Sequence, residues 1–367
     1  MNNKVILVNC FGKNVGRLAM TKNYCCAFEY SDEWLASGFS ISPFSLPLVK
    51  KVFIADREPF RGNFGVFEDS LPDGWGRLLI DRMLKKQGLQ PSGISILDRL
   101  AIVGKNGAGA LEYEPSEGFG DEDLSAPLDD LAKECEKILA NDNYESEQLE
   151  TLVKKGGSSG GARPKVLVKI DDEDWIIKFR SSYDPQDIGE LEYQYSIAAK
   201  AAKIEMSDCR LFEGKYFGTK RFDRENGQKI QMLSAGGLME ASHRYPTLDY
   251  NDLLSATLEL TRNFGEVEKM FRLMCFNVVA KNLDDHAKNF SFLYKNSKWR
   301  VAPAYDLTLS NGINGERMTT VNGKGKEPSL IDILGVAKKN GIAETKAREI
   351  CDEVREAVDK LLEGCGR

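Results

Sequence analysis

The sequence predicts an α+β fold, β-rich in its N-terminal half and mainly helical towards its C-terminus. Three observations carry this expectation. Short alternating apolar runs bounded by Gly, Asn and Asp recur up to about Leu233. Helical periodicity takes over from Leu253. Between them, an acidic stretch bearing Gly and Pro, from Glu114 to Asp130, has the composition of a solvated connection. At roughly 100 to 200 residues per domain, the 367 residues suffice for two or three packed units.

Taken in order, Val5-Ile6-Leu7-Val8, a turn at Gly12 and Asn14, and Val15 to Ala19 read as a β-hairpin. Phe28-Glu29-Tyr30 and Phe39-Ser40-Ile41 alternate as further short strands. Pro72 stands near the start of a helix running through Leu78, Leu79, Ile80, Met83 and Leu84. Beyond the acidic stretch, Leu128, Leu131, Ala132, Cys135, Ile138 and Leu139 make one apolar helical stripe, followed by Gly156-Gly157-Ser158-Ser159-Gly160-Gly161. Val166 to Ile170 and Trp175 to Phe179 form a second hairpin whose later strand carries Lys178. A helix over 187–203 and strands near 215–222 and 228–233 come next. Val267, Met270, Phe271, Met274, Cys275, Val278 and Val279 then mark a buried helix face. Ile350, Val354, Ala357, Val358 and Leu361 repeat that pattern, with Gly364 as a stop.

Composition narrows the function classes. A net charge of -6 and a pI near 5.4 argue against a general nucleic-acid binder, which needs excess Lys and Arg to neutralise phosphates. No apolar run approaches the ~18 to 20 residues of a membrane span, and Met1 to Leu7 lacks a secretory pattern, so a cytoplasmic location is expected. The eight cysteines include no CxxC and no His placed to complete a zinc set, which reads as reduced core thiols.

One segment concentrates chemistry. Asn282 to Asn289 directly follows the buried helix, so its polar side chains emerge at a helix end. Asp284 and Asn289 have the D-x-x-x-x-N separation of a kinase catalytic loop, where the carboxylate takes the hydroxyl proton and the amide binds magnesium. Asp306, beyond an apparent hairpin over Phe290 to Leu293 and Trp299 to Val301, supplies the second hard oxygen ligand magnesium requires. Upstream, Lys178 matches the strand lysine that neutralises phosphates, with Glu192 on the following helix to hold it. The glycines of 156–161 can aim consecutive N–H groups at an anion, and Lys165 adds charge. Such a stretch is also the composition of a plain flexible loop, and it lacks the GK[ST] ending of a Walker loop. His286 reads as holding its loop by hydrogen bonding, His243 as a loop residue outside the site, and Asp285 as a solvated neighbour of Asp284.

Over nearly its whole length the chain resembles the HipA family of bacterial toxin kinases. The resemblance lies in Val15-Gly16-Arg17-Leu18, Leu71-Pro72-Asp73-Gly74-Trp75-Gly76 and Gly107-Ala108-Gly109-Ala110-Leu111 of the first module. It continues in Lys220-Arg221-Phe222-Asp223-Arg224, Asp284-Asp285-His286-Ala287-Lys288-Asn289-Phe290 and Tyr305-Asp306-Leu307. The resemblance implies a two-lobed kinase-type fold: an N-terminal subdomain over 1–115, a kinase N-lobe over 125–240 and a helical C-lobe over 241–367. It further implies a serine/threonine protein kinase using ATP and Mg, with Asp284 as catalytic base, Asn289 and Asp306 as metal ligands, and Lys178 on the nucleotide. Ser158, Ser159, Gly160 and Gly161 would form the phosphate-binding loop, with inhibitory autophosphorylation at Ser158 and Ser159 as the alternate. Leu238 would contact adenine, while His286 and Lys288 support the catalytic loop. Two departures stand out: Arg163-Pro164 replaces a Gln-Glu pair of some members, and Ser234 to Leu238 matches the hinge pattern poorly.

In cellular terms the resemblance implies the toxin of a toxin-antitoxin pair. Its substrate would be a translation component such as an aminoacyl-tRNA synthetase, and its partner a HipB-like helix-turn-helix antitoxin through which it meets DNA only indirectly. Two rival readings keep the same residues: a catalytically weak co-repressor module, and a lipid or small-molecule kinase.

Overall fold

The computed structural model describes residues 4–118, 126–141, 144, 146–157 and 160–364. The chain forms two compact units, one of Met1–Ile41, Leu46–Gly189 and Arg210–Gln231, the other of Ser42–Ser45, Glu190–Cys209 and Met232–Arg367.

The first unit opens with an antiparallel sheet of β1 (Val5–Cys10), β2 (Lys13–Met20), β3 (Cys26–Tyr30), β4 (Phe53–Ile54) and β5 (Leu111–Glu114), in the order β4-β3-β2-β1-β5. Cys10 pairs with Lys13, leaving Phe11 and Gly12 as the two turn residues, both at positive φ (52° and 73°). That is the geometry a twisted two-residue hairpin demands. The strand expected over Phe39–Ile41 does not form. The carbonyl of Phe39 accepts the Trp34 indole N–H at 2.8 Å and the Ile41 amide donates to the Tyr30 hydroxyl at 3.2 Å, so side chains take the backbone groups a ladder would use. Helices α1 (Asp32–Ser37), α2 (Gly65–Glu68) and α4 (Ile96–Val103) decorate the sheet, and α3 (Gly74–Lys86) stands between the last two in the chain.

A second sheet, β6 (Lys165–Ile170), β7 (Glu173–Lys178), β8 (Cys209–Phe212) and β9 (Tyr216–Lys220), runs in the order β6-β7-β9-β8. Against it lie α5 (Leu128–Ala140) and α6 (Leu149–Gly156), the latter a helix the sequence reading did not assign. One apolar core joins Trp75, Leu79 and Met83 of α3 to Leu131, Cys135 and Ile138 of α5, Leu152 of α6, and Val166 and Ile177 of the sheet. Buried Arg82 of α3 donates to the carbonyls of Ile138 (2.6 Å), Asn141 (2.9 Å) and Tyr144 (3.1 Å), satisfying groups that the end of α5 leaves open. Thus α3, although early in the chain, is built into the same core as β6 and β7.

Two of the motifs singled out in the sequence interlock within this unit, next to a short hairpin of β10 (Arg224–Glu225) and β11 (Gln228–Lys229). The Gly109 amide donates to Asp223 at 2.8 Å, while Arg224 donates to the carbonyls of Gly107 and Gly109, both at 3.0 Å. Arg221 and Arg224 pair with the buried Asp223 carboxylate at 2.7 and 2.8 Å. Burial alone would raise that carboxyl, but the two guanidiniums and the Gly109 amide bring it down to about 2.

The second unit contains α7 (Ile188–Ala201), β12 (Gln231–Ser234), α8 (Ala235–Met239), β13 (Leu248–Asp249), α9 (Tyr250–Thr261) and α10 (Phe264–Val279). It continues with β14 (Ser291–Lys295), β15 (Lys298–Val301), β16 (Thr319–Thr320), α11 (Leu330–Lys339) and α12 (Glu344–Leu361). Helix α10 packs against α9 and α12 and buries Val267, Met270, Phe271, Met274 and Cys275. The Met and Cys residues of the predicted stripe are therefore core, with the Cys275 and Cys351 thiols hydrogen-bonded at 3.6 Å and not joined as a disulfide. Strand β14 of the sheet β12-β14-β15 follows the helix, so the polar segment 282–289 sits between a buried helix and a strand. Among the described residues no helix is long and apolar enough to cross a membrane, and no cluster of three His, Cys, Asp or Glu could hold a metal ion.

Candidate active site

In the second unit the loop after α10 alternates between exposure and burial. Asp284 is exposed, Asp285 is 0% exposed, and Asn289, in a short 3-10 turn Ala287–Asn289, is buried. The expectation that Asp285 is a solvated neighbour is therefore wrong. Its Oδ2 pairs with Arg317 at 3.0 Å and accepts the Tyr250 hydroxyl at 2.8 Å, and its Oδ1 accepts the amides of Met318 (3.0 Å) and Thr319 (3.1 Å). Asn277 donates to the Tyr250 hydroxyl at 3.0 Å and accepts from the Asn282 amide at 3.0 Å, extending the network back into α10. Burial raises the Asp285 carboxyl above the ordinary carboxylate range, opposed by Arg317, the Thr319 amide and Tyr250.

This network fixes the backbone on which Asp284 stands. Asn289 folds back so that its Nδ2 donates to the Asp284 carbonyl at 2.6 Å, and its backbone amide donates to the His286 carbonyl at 2.8 Å. With the amide nitrogen so engaged, the Asn289 Oδ1 is the atom left to face a cation. Asp306 is reached through Tyr305, whose hydroxyl meets Ser291 Oγ at 2.6 Å and donates to the Lys288 carbonyl. The carbonyl of Lys288 and the start of β14 are thereby tied to the residue preceding Asp306, which itself takes a left-handed backbone (φ 52°). An amide oxygen and a carboxylate are hard donors suited to magnesium, which keeps several waters and shares its shell with phosphates.

The Nδ1 of His286 does not hold the loop as expected. Among the described residues its Nδ1 is buried without a hydrogen-bond partner. Instead, its ring packs edge-on against His243, centroids 5.9 Å apart, so the histidine placed outside the site lies against the loop after all. Leu238 is wholly buried in α8, with Ser234 capping that helix, and offers no exposed surface for adenine. Glu192 is buried on α7.

In the first unit Lys178 ends β7, its ammonium 5.5 Å from the centre of the Phe217 ring. Across the ladder it stands directly opposite Lys165, a residue 7% exposed whose ammonium donates to the Gly160 carbonyl at 2.6 Å. Like charges directly opposite each other on a sheet are destabilising on their own. Two such lysines beside a glycine-rich turn suit a multiply charged anion, so the residues fit a nucleotide's phosphates. Ser158 and Ser159 lie outside the described residues; Gly160 and Gly161 lie within them.

The family model of the HipA-like C-terminal domain matches residues 157–362, and that of the HipA N-terminal domain matches residues 6–114. Two curated relatives from Sinorhizobium fredii are named "Putative kinase Y4dM" and "Putative kinase Y4mE". The first is 24% identical, covering 80% of this chain and 74% of its own length; the second is 27% identical, covering 99% and 93%. Among solved structures, HipA of Shewanella oneidensis, in a complex with HipB and operator DNA, shares the fold at a TM-score of 0.73 and 16% identity. That match covers 98% of this chain and 90% of the other.

Proposed function

Since matches to both HipA domains together span most of its length, this chain belongs to the HipA family, and from that premise we propose that it is an ATP- and Mg-dependent serine/threonine protein kinase. The observation that carries this reading is the loop itself. An exposed Asp284 stands on a backbone pinned by the buried Asp285–Arg317 pair, with the Asn289 side chain closed onto its carbonyl. In the proposed roles Asp284 orients the attacking hydroxyl and accepts its proton, while Asn289 and Asp306 hold magnesium. Lys178 and the loop around Gly160 take the phosphates, with Ser158, or else Ser159, as the site of self-phosphorylation. Magnesium, when bound, neutralises charge on the phosphates in transfer. The protein's part is positioning: the buried network removes the freedom of a loop whose reacting carboxylate must lie within about 3 Å of a hydroxyl.

The fold shared with a HipA solved beside HipB supports a helix-turn-helix antitoxin as partner and a toxin's role, with a translation component such as an aminoacyl-tRNA synthetase as substrate. The test is transfer from radiolabelled ATP with magnesium to proteins of a cell lysate, wild type beside Asp284→Asn. Label on a lysate protein with wild type alone is the expected result. Because Asp284 is exposed, the variant should keep the wild-type unfolding midpoint. Equal labelling by both would overturn the assignment of the base, and label on lipid or small molecules alone would move the substrate class.

A further inference from the structure

The motif Leu71-Pro72-Asp73-Gly74-Trp75-Gly76 has no part in the roles above, yet it touches the glycine-rich loop at several points. Asp73 is the N-cap of α3 with extended backbone (φ -117°, ψ 179°), but its side chain makes no capping bond to that helix. Its Oδ1 instead accepts the amide of Gly161, 88 positions away. The next turn residue closes the grip: the Trp75 amide donates to the Gly161 carbonyl at 3.0 Å, so this one glycine is held at both its N–H and its C=O. The Trp75 indole donates to the Lys165 carbonyl at 3.2 Å, and Lys165 returns its ammonium to Gly160. The two backbones nearly touch. A Cβ on Gly74 would lie 2.5 Å from the Gly161 oxygen and 2.6 Å from the Ala162 Cα, and Gly74 has φ +40°, so only glycine serves there.

We infer that Asp73 is a positioning residue that anchors Gly161 and thereby presets the loop for a nucleotide's phosphates. The inference rests on reading the turn at Gly160 and Gly161 as phosphate-binding. A glycine-rich loop loses more conformational freedom on ordering than any other sequence, and a ligand that must order it binds correspondingly more weakly. Here the ordering is supplied beforehand by a helix whose Trp75, Leu79 and Met83 are set in the core shared with β6 and β7. A charge-assisted bond from carboxylate to amide is about twice as strong as a neutral one. The same geometry revises the part played by Gly161. Its N–H is committed to Asp73, so what it contributes is a fixed backbone.

The test compares wild type, Asp73→Ala and Asp73→Asn for Mg-ATP affinity, for KM against kcat, and for hydrogen exchange of peptides covering residues 160–165 without nucleotide. Expected are ATP binding about tenfold weaker in Asp73→Ala, with kcat little changed, and faster exchange in that peptide but not in one covering Tyr250–Thr261. Asp73→Asn keeps a neutral acceptor and should recover most of the loss, remaining within about threefold of wild type. Unchanged or tighter ATP binding by Asp73→Ala while wild type binds normally would overturn the inference and leave the kinase reading standing. Unchanged exchange at residues 160–165 would overturn it as well. Failure of wild type itself to bind Mg-ATP would overturn both.

Discussion

Replacing Arg317 with Met strips the countercharge from a carboxylate with no exposed surface. The Asp285 side chain is 0% exposed and that of Arg317 2%, with the pair 3.0 Å apart. Removing one partner of such a pair costs about 3–5 kcal/mol, because the remaining charge stays desolvated. In a unit of roughly 150–250 residues, 1 kcal/mol moves the unfolding midpoint by about 2–4 °C, so Arg317→Met should lower it by roughly 6 to 20 °C. The deficit should depend on pH with a defined sign. Burial already raises the Asp285 carboxyl, and without Arg317 it rises further, so the folded variant holds a proton that the unfolded chain releases. Such a group stabilises the fold below its folded pKa and loses that contribution as pH rises through it; the deficit therefore widens from pH 5 to pH 8. Calorimetry across that range, with the double variant Asp285→Asn/Arg317→Met as the fourth corner of a cycle, measures both effects. The double variant replaces the pair by neutral groups and should be more stable than Arg317→Met alone. Labelling activity, assayed well below the midpoint, should fall about 100-fold as the loop shifts. Additive losses around the cycle, or a midpoint within about 2 °C of wild type at pH 8, would refute the claim that this pair holds the loop.

Two further outcomes concern the first unit. The Asp223 carboxyl, held at about 2, stabilises the fold above its unfolded value and loses this as pH falls through about 2. Wild type should therefore lose about 2 kcal/mol from this group between pH 4 and pH 2, whereas Asp223→Asn should be weaker at pH 7 and show a shallower acid slope in urea titrations. Lys178→Met removes the ammonium that faces Lys165 across the ladder. The stabilisation that Mg-ATP gives wild type, about 2.7 kcal/mol at 100 times its Kd, should vanish in that variant. A thermal shift with ATP that persists in Lys178→Met would count against its place on the phosphates.

What the sequence disclosed and what it hid divide along a physical line. Local periodicity revealed the hairpin of β1 and β2, the buried face of α10 and the strand bearing Lys178, because each depends on residues within two turns or one strand. Asp284, Asn289 and Asp306 could be picked out as candidates because the proposed chemistry dictates residue type and order. Asp285 was not, since a charged residue next to another charged residue reads as surface until Arg317, 32 positions later, is seen beside it in the core. The strand at Phe39–Ile41 was misread for a related reason: its backbone groups are claimed by Trp34 and Tyr30 side chains, which no alternation pattern records. The Gly107–Leu111 and Lys220–Arg224 motifs stood out as words, but their meaning lies in bonds spanning more than 100 positions.

The shared core of α3, α5 and β7 also sets a schedule for synthesis. Trp75, Leu79 and Met83 leave the ribosome long before Ile177 and Phe179, the last fully buried members of their cluster, are made. The gap is about 100 residues, which at ~5–20 residues per second is roughly 5 to 20 seconds. For that interval an apolar helix face waits uncovered on the nascent chain, while the first sheet is completed only when β5 is made part-way through it. The yield of this protein in a cell should therefore respond to chaperone supply and translation speed between residues 87 and 179 more than to changes in its C-terminal helices.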